Sequence, residues 1–284
     1  NTLKFQYEIT AGAWSTGGNL NTARGLLGGA GTQTAALGFG GSTGPAPTGA
    51  TESYNGSTWT EVNDLNSARR SLGGDGTQTS AIGFGGLTGS TETWNGTSWT
   101  EVADLNTSRR DIAGIAVENT AALAAGGSLD PGDQAVTESW NGSTWTEVND
   151  LNTARKDLGS SGTVPAGLVF GGAPTTGATE SWNGSSWTEV NNLNTARSTL
   201  AGAGTSTLAL AFGGNLAPGD AANTEEWNGV SWVETTDLNT ARGYLAGAGS
   251  DSSALAFGGL APSATTATEE WTKPSFTTKT VSTD

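Results

Sequence analysis

The feature that most constrains this chain is a unit that recurs six times along its 284 residues. The stretch ESWNGSSWTEVNNLNTAR, residues 180–197, returns with small changes, and alignment on its final arginine gives spacings of 45, 40, 46, 42 and 45 residues. A second marker, Gly-Gly after an apolar run, follows each arginine by sixteen or seventeen residues. Two markers in one register establish six repeats. The aligned arginines are Arg24, Arg69, Arg109, Arg155, Arg197 and Arg242.

Each copy predicts short strands joined by tight turns. The chain contains 44 glycines, and Ala, Ser, Thr and Asn fill much of the remainder, which disfavours helices. In the second copy we expect strands at 69–76, 79–86, 90–94 and 98–102. A period in the forties with several strands per repeat is typical of a β-propeller. The predicted fold is therefore all-β, a six-bladed propeller of four-stranded antiparallel blades.

Two patterns place these strands within a blade. Small residues dominate the first strand, as expected where inner strands converge on an axis, and the third and fourth strands carry tryptophans that suit the wider space between blades. Asn-Gly lies between the two tryptophan strands, and it predicts a type I′ hairpin turn with positive φ at both residues. WNGSSW is thus interpreted as a hairpin with an aromatic residue on each arm.

The two ends of the chain compete to close the ring. The N-terminal segment places Trp14 ten residues before Arg24, as Trp59 precedes Arg69. The C-terminal segment places Trp271 and Phe276 five residues apart, like the aromatic pair of an outer hairpin. We expect the N-terminal segment to supply at least the last strand of the final blade. The surplus segment then pairs at its edge or leads to another domain.

The order of these markers resembles the kelch motif: Gly-Gly, then an aromatic residue, then a tryptophan five residues later, and then an arginine that opens the next unit. The resemblance covers nearly the whole chain and implies one propeller over residues 1–284, with residues 272–284 as a link to a further domain. Kelch-like propellers serve as enzymes, adaptors and adhesion modules, so the resemblance is specific for the fold rather than for the function.

Missing residue types exclude several kinds of chemistry. The chain has no Cys and no His, which removes thiolate sites, disulfides and the usual zinc ligand and general base. The copper site of galactose oxidase, whose propeller is similar, needs both residues and is excluded. The net charge of this chain, −15, disfavours nucleic acid and anionic membranes as partners. No apolar run is long enough to predict membrane insertion. We expect a protein that is not an enzyme and has no cofactor.

A sialidase-like activity is the catalytic alternative. The stretch SYNGSTW, residues 53–59, is similar to the sialidase Asp-box, although Asn55 stands where an aspartate is expected. Such an enzyme also needs an arginine triad, for which Arg24, Arg109 and Arg197 are the candidates, and a tyrosine nucleophile. Of the three tyrosines, Tyr7 and Tyr54 fall in outer hairpins, which leaves Tyr244 near the axis.

Strand direction predicts that the six repeat arginines lie on one face near the axis. The loops after Gly-Gly, which vary from four to nine residues, emerge on the same face, and such insertions usually mark a binding face. Two roles are open: the arginines pair with carboxylates such as Glu180 and Glu189 or with blade-end carbonyls, or they bind an anionic ligand, as kelch domains that capture acidic peptides do. The ligand-binding candidates are Arg24, Arg69, Arg70, Arg109, Arg110, Arg155, Lys156, Arg197 and Arg242.

Two weaker patterns complete the candidate sites. No metal centre is expected, although Asp130, Asp133 and Asp220 lie in Pro-Gly-Asp turns that are weak candidates for calcium. Glycosylation sequons begin at Asn55, Asn95, Asn106, Asn141 and Asn183, and a hairpin turn explains all of them except Asn106.

The near-identical copies resemble kelch-type repeats in structural proteins of bacteriophages, particularly marine ones. The resemblance implies a virion component, a tail-fibre or capsid-surface module, located extracellularly, whose partner is a host glycan, an envelope protein or another virion protein. It also allows a larger parent chain or a homo-oligomer. The alternatives are an adaptor that binds acidic peptides, a structural spacer without a ligand, and the sialidase-like enzyme.

Overall fold

The computed structural model describes residues 2–5, 11–129, 132–274 and 279–282. Every regular element in these ranges is a β-strand, and none of them contains a helix that could cross a membrane. Six four-stranded antiparallel sheets are arranged as blades around one axis. The structure is therefore the predicted six-bladed β-propeller.

The first five blades follow the chain directly. Blade 1 comprises β3 (Gly28–Thr32), β4 (Ala35–Phe39), β5 (Thr51–Tyr54) and β6 (Trp59–Glu61). Blade 2 comprises β7 (Leu72–Thr77), β8 (Ser80–Gly85), β9 (Thr91–Trp94) and β10 (Trp99–Val102). Blade 3 comprises β11 (Ala113–Glu118), β12 (Ala121–Ala125), β15 (Thr137–Trp140) and β16 (Trp145–Val148), with a small hairpin of β13 (Ser128–Leu129) and β14 (Gly132–Asp133) in its loop. Blade 4 comprises β17 (Gly159–Thr163), β18 (Ala166–Phe170), β19 (Thr179–Trp182) and β20 (Trp187–Val190). Blade 5 comprises β21 (Ala201–Gly204), β22 (Ala209–Phe212), β23 (Thr224–Trp227) and β24 (Trp232–Glu234).

The N-terminal segment closes the ring, as predicted. Blade 6 takes β25 (Ala246–Gly249), β26 (Ser253–Phe257) and β27 (Thr268–Thr272) from the end of the chain and its outer strand, β2 (Ala13–Thr16), from the beginning. Trp14 pairs with Trp271 in this register. A separate two-stranded sheet joins β1 (Thr2–Phe5) to β28 (Lys279–Ser282), so segments from the two ends pair with each other. Phe276 and Tyr7 lie outside the described residues.

Each blade is joined to its neighbour by a buried indole. The tryptophan that opens the outer strand donates its Nε1–H to the hydroxyl of the threonine that opens the third strand of the preceding blade, as in Trp232 to Thr179 at 3.2 Å. Trp14 makes the same bond to Thr224 at 3.0 Å, so the closing strand is held like the others. The tryptophans thus lie between blades, as the sequence predicted, and their polar atoms have partners.

The structure corrects two local predictions. The first strand of blade 2 begins at Leu72 rather than at 69. Ser71 has a φ of 58°, and a residue with that conformation cannot continue a strand.

The Asn-Gly turns are not type I′. Trp182 pairs directly with Trp187, which leaves four loop residues, and only Gly184 has positive φ, at 93°. Asn183 instead accepts hydrogen bonds at its side-chain oxygen from the backbone N–H groups of two following residues, at 3.0 and 2.9 Å, as asparagine often does in turns.

Glycine at the axis lets the inner strands pack closely. A Cβ on Gly202 would lie 2.3 Å from the carbonyl oxygen of Ser160, and one on Gly114 would lie 2.7 Å from the backbone nitrogen of Gly74. Neighbouring inner strands therefore approach through their backbones, which larger side chains would prevent. The small residues of the first strands have the structural role that the sequence predicted.

Candidate functional site

The links between blades and the variable loops meet on one face of the propeller, here called the loop face. Blade 1 shows the arrangement. Its β3–β4 and β5–β6 turns lie on one face of the propeller, while its β4–β5 loop and the link to β7 lie on the other, which is the loop face. Short bridges join each kind of segment, such as Gly25 to Ser42 and Lys156 to Ala173. Some loops also close on themselves, as when Asn215 bridges Asp220. The loop face is thus built from folded-back loops around the axis.

The six repeat arginines are buried beneath this face and paired with glutamates. In blade 3, Arg109 contacts Glu138, and the other five blades contain the equivalent arginine–glutamate pair. None of the six arginines is more than 3% exposed. The other pairs are Arg24–Glu52 at 3.2 Å, Arg69–Glu92 at 3.1 Å, Arg155–Glu180 at 2.6 Å, Arg197–Glu225 at 2.6 Å and Arg242–Glu269 at 2.9 Å.

Each glutamate also collects donors from the preceding link. Glu180 accepts bonds from the backbone and side-chain nitrogens of Asn152 at 2.8 and 2.7 Å, besides its pair with Arg155. Several arginines reach a carbonyl of their blade's second strand as well, as Arg197 does at Ala211, 3.1 Å away. Burial lowers the pKa of Arg197, and Glu225 opposes that effect. The Asn, Arg and Glu of each repeat therefore form one buried polar unit.

This geometry favours the bracing role for the repeat arginines over the ligand role. They are inaccessible from the loop face. Arg24, Arg109 and Arg197 belong to different blades with separate glutamate partners, so they do not form a triad. Glu189, the other carboxylate considered as a partner, is exposed.

In blades 2 to 4 a second basic residue directly follows the repeat arginine, and these residues, Arg70, Arg110 and Lys156, are more accessible than the arginines. The side chains of Arg110 and Lys156 are each 33% exposed, and they lie 3.4 Å from Asp111 and 3.1 Å from Asp133, respectively. Arg70 donates to the carbonyl oxygen of Pro45 at 3.2 Å. These three basic residues of blades 2 to 4 thus lie on the loop face, with acidic groups beside Arg110 and Lys156.

A closed ring of backbone hydrogen bonds surrounds the axis at the loop face. The residue two positions after each repeat arginine has φ between 54° and 59°. Its N–H donates to the carbonyl of the equivalent residue in the preceding blade, over distances of 2.8 to 3.0 Å, and the sixth residue completes the circle with the first. We call these six residues the axial rim. They are Leu26, Ser71, Asp111, Asp157, Thr199 and Tyr244.

The axial rim and the inner strands line one cavity of about 340 Å³ along the axis. Burial, with the charge of Asp111 as a further cause, raises the pKa of Asp157 to about 7. Burial and the charges of both carboxyl groups raise the pKa of the Tyr244 phenol. The rim side chains thus bring two carboxyls, a phenol, the hydroxyl of Ser71 and an isobutyl group to one mouth, whereas the hydroxyl oxygen of Thr199 is buried.

A third carboxyl lines the cavity wall. Asp75 on β7 accepts hydrogen bonds from the N–H of Gly76 at 2.7 Å and from that of Ala116 in the next blade at 2.8 Å. Burial raises the pKa of Asp75 to about 7 despite these two bonds. The equivalent residues of the other blades are Ala30, Ile115, Ser161, Ala203 and Ala248.

The weak calcium candidates are dispersed. Asp133 pairs with Lys156 in blade 3, Asp220 accepts a bond from Asn215 in blade 5 at 3.2 Å, and Asp130 lies outside the described residues. Within the described ranges, no three acidic side chains are grouped closely enough to hold a metal ion. Asn55, Asn95, Asn141 and Asn183 cap hairpin turns, while Asn106 binds Glu138.

Sequence reasoning missed the axial rim, apart from the expectation that Tyr244 lies near the axis. The available signal was variation within the repeat. The position two residues after the arginine holds Leu, Ser, Asp, Asp, Thr and Tyr, whereas the next position is Ile in the third copy and Leu in the other five. Reading that variation as a site required knowing that the position faces the axis.

The propeller fold fits a non-catalytic binding module. No protein-family model matches this chain, and a comparison with curated proteins finds no similar sequence.

Proposed function

We propose that this protein is a non-catalytic binding module that contacts its ligand through the loop face. One observation carries the proposal. The six copies agree at the residues that build and brace the ring, and they differ in length mainly in the loops after Gly-Gly, on the same face where the side chains of the axial rim differ. A repeat that served only to build a ring would have no structural need for this concentration of differences.

The loops around the rim supply the second source of variation. They contain from four to nine residues, and those of blades 1, 3, 5 and 6 fold back into small bridged structures. Ordered loops lose less conformational entropy on binding than mobile ones do. The loop sequences are STGPAPTGA, LTGS, SLDPGDQAV, APTTGA, NLAPGDAAN and LAPSATTA.

The resemblance to phage kelch-type repeats supports a more specific proposal. In it, the protein is a virion component, part of a tail fibre or of the capsid surface, that contacts a host glycan or envelope protein. The flanking genes test the origin, because phage tail or capsid genes should lie beside this one. Labelling of purified virions with an antibody to the propeller tests the location, and unlabelled virions would contradict it.

Binding through the loop face is tested on a glycan array and on intact bacterial cells. In one variant the blade 5 loop, residues 215–223, is replaced by the four-residue loop of blade 2. The control, Val230→Ser, gives the opposite face of blade 5 the serine found in blades 1, 3 and 4. We expect weaker binding for the loop variant alone. Equal binding by all three proteins, or no binding by any, would contradict the proposal, and sugar released from a bound glycan would contradict the non-catalytic assignment.

An adaptor for acidic peptides is the second candidate, and the partly exposed Arg70, Arg110 and Lys156 support it. An acidic-peptide library distinguishes the two. Binding that is lost in Arg70→Ala but unchanged by the loop replacement would favour the adaptor.

A further inference from the structure

We infer that the axial rim binds one uncharged sugar residue, which enters the axial cavity at the loop face. This inference rests on the proposed function, because it names the ligand class and the residues for the same face. The cavity has a volume of about 340 Å³, which lies within the range of small-ligand sites. The six rim residues support such a ligand by their backbone conformation, their chemistry and their charge balance.

The rim residues share an unusual backbone conformation. All six rim residues have positive φ, yet none is glycine, the residue that adopts this region without strain. Glycine occupies many neighbouring positions, including Gly25 and Gly243 directly before two of the rim residues. Aspartate tolerates this conformation, but holding leucine, serine, threonine or tyrosine in it is energetically unfavourable. Four of the six side chains are therefore maintained at the mouth against the local preference of the backbone.

The rim side chains combine polar groups with an aromatic ring. Asp111 and Asp157, adjacent in the ring, supply hydrogen-bond acceptors, and Tyr244 is close enough for both charges to act on its phenol. Tyr244 also offers an aromatic face, while Ser71 supplies a hydroxyl. A sugar presents hydroxyl groups on its edge and C–H groups on its face, which match carboxyl oxygens and an aromatic ring.

Acidic and basic side chains lie close together around the rim. Arg110 lies 3.4 Å from Asp111, and Lys156 lies 3.1 Å from Asp133, so acidic and basic groups are already balanced at the rim. The raised pKa of Asp157 leaves it partly protonated near neutral pH, when it both donates and accepts hydrogen bonds. Arg70, the third basic residue of this sector, donates to the carbonyl oxygen of Pro45 rather than to a carboxylate. Beside Asp111 and Asp157, however, neither an anion nor a cation would find a strong uncompensated charge. An uncharged, hydroxyl-rich ligand fits this balance best.

The test measures binding of three probe classes by calorimetry and saturation-transfer NMR. The probes are methyl glycosides of neutral hexoses, glucosamine and sialyllactose, each with the full chain. We expect a neutral glycoside to bind, and Asp157→Ala and Tyr244→Ala to weaken that binding roughly ten- to a hundredfold. Glu189→Ala removes an exposed carboxylate on the outer strand of blade 4, outside both the loop face and the rim, and should leave the affinity unchanged.

A second variant separates binding from folding. Asn adopts positive φ readily, so Asp157→Asn should keep the native fold, which circular dichroism verifies. Wild-type affinity should rise as the pH increases through the raised pKa of Asp157, because an ionised carboxyl is the stronger acceptor, and the Asn variant should lack that rise. The charged or titratable groups around Asp157 are Asp111, Asp133, Arg110, Lys156 and Tyr244.

The outcomes distinguish this inference from the proposed function. A neutral glycoside whose affinity is the same in the wild type, Asp157→Ala and Tyr244→Ala overturns the inference, while binding through the loops stands. Exclusive binding of glucosamine or sialyllactose also overturns it and leaves the proposed function intact. Absence of binding to every glycan and to cells overturns both.

Discussion

The arginine and glutamate of each repeat show how one residue pair serves both stability and position. Their charges are buried, so the pair stabilises the blade only while both partners are present. The glutamate also fixes the asparagine that opens the preceding link, which leads to the axial rim two residues beyond the arginine. The buried glutamate of each repeat therefore connects the stability of the blade with the geometry of the loop face.

Loss of one glutamate should be costly. Glu180→Ala leaves the Arg155 guanidinium buried without its counter-charge, and we expect the free energy of unfolding to fall by about 3–5 kcal/mol. Glu189, its exposed cross-strand neighbour, provides the control. Glu189→Ala should change stability by no more than about 0.5 kcal/mol, as is usual for surface substitutions. Urea unfolding followed by tryptophan fluorescence measures both, and similar losses for the two variants would contradict the buried-pair assignment.

Asp75 should make stability depend on pH. Its pKa is about 7 in the folded protein and about 3.9 in an unfolded chain, so the unfolded chain loses the proton first as the pH rises. The free energy of unfolding should therefore be highest, as far as Asp75 is concerned, below about pH 4 and fall as the pH rises towards about 7. The slope from one such group approaches about 1.4 kcal/mol per pH unit.

Comparison with Asp75→Asn isolates this contribution, because the amide does not titrate. Unfolding measured from mildly acidic to mildly alkaline pH should show a smaller decline for the variant than for the wild type. Asp157 remains titratable in both proteins. Parallel stability curves would show that Asp75 does not titrate in this range.

At the scale of elements, all six blades have the same four strands, but where a strand starts and which turn joins two strands depend on contacts between residues that are distant in sequence. The four strands and their order follow from alternating small and aromatic segments, which the sequence displays directly. The start of the first strand does not, because Ser71 leaves the strand conformation to bond with Leu26 of the neighbouring blade. The turn type was also missed, because the pairing of Trp182 with Trp187 fixes the loop length and no local propensity encodes it.

The Gly-Gly at the end of the second strand has a distinct role. In blade 4, Gly172 donates to the carbonyl of Arg197 at 3.0 Å, and a Cβ on Gly171 would lie 2.6 Å from that same oxygen. Both glycines have positive φ, of 67° and 117°. The pair therefore lets the strand end pass close beneath the link that carries the next arginine.

Gly171→Ala should destabilise the protein by roughly 2–4 kcal/mol, because backbone strain and a steric clash act together. Gly219→Ala separates the two causes. Gly219 also has positive φ, at 108°, but no atom lies within 4 Å of its added Cβ. We therefore expect a loss of only about 1 kcal/mol from strain alone. Thermal unfolding of both variants measures the difference, and equal losses would mean that the close approach is unimportant.

For the whole molecule, closure by the N-terminal strand converts a linear array into a ring. Trp14 pairs with Trp271 and contacts Phe212 edge to face, with ring centroids 5.0 Å apart. Tyr54 of blade 1 donates to Glu270 of blade 6 at 2.5 Å, a side-chain bond across the seam. The seam is therefore held by the same kinds of contact as other blade boundaries, together with one of its own.

Removal of residues 1–18 should prevent closure, because it exposes Trp271 and removes the partner of Thr224. We expect an aggregated or much less stable protein. Removal of residues 1–10 leaves β2 in place and should yield a monodisperse protein with near-native stability. Size-exclusion chromatography and thermal unfolding distinguish these outcomes. A stable product from the longer deletion would contradict the closing role of β2.

The sequence predicted the ring more fully than the site. Blade number, strand count and the closing segment all followed from repetition, which reports contacts shared by every copy. The bracing or binding role of the arginines depended on burial, which the motif does not encode. The glutamate partner also lies well beyond its arginine in the chain, as Glu92 does from Arg69 and Glu138 from Arg109. The rim was missed because its members resemble one another only in backbone conformation.

The closed circle of rim hydrogen bonds has a consequence for how this protein changes over time. Backbone atoms alone make the circle, and it forms with side chains as different as those of Leu26, Asp111 and Tyr244. Six neighbouring positions can thus be altered singly while their spacing stays fixed. A lineage carrying this ring can change the chemistry of its rim by point mutation, without first having to evolve a new fold.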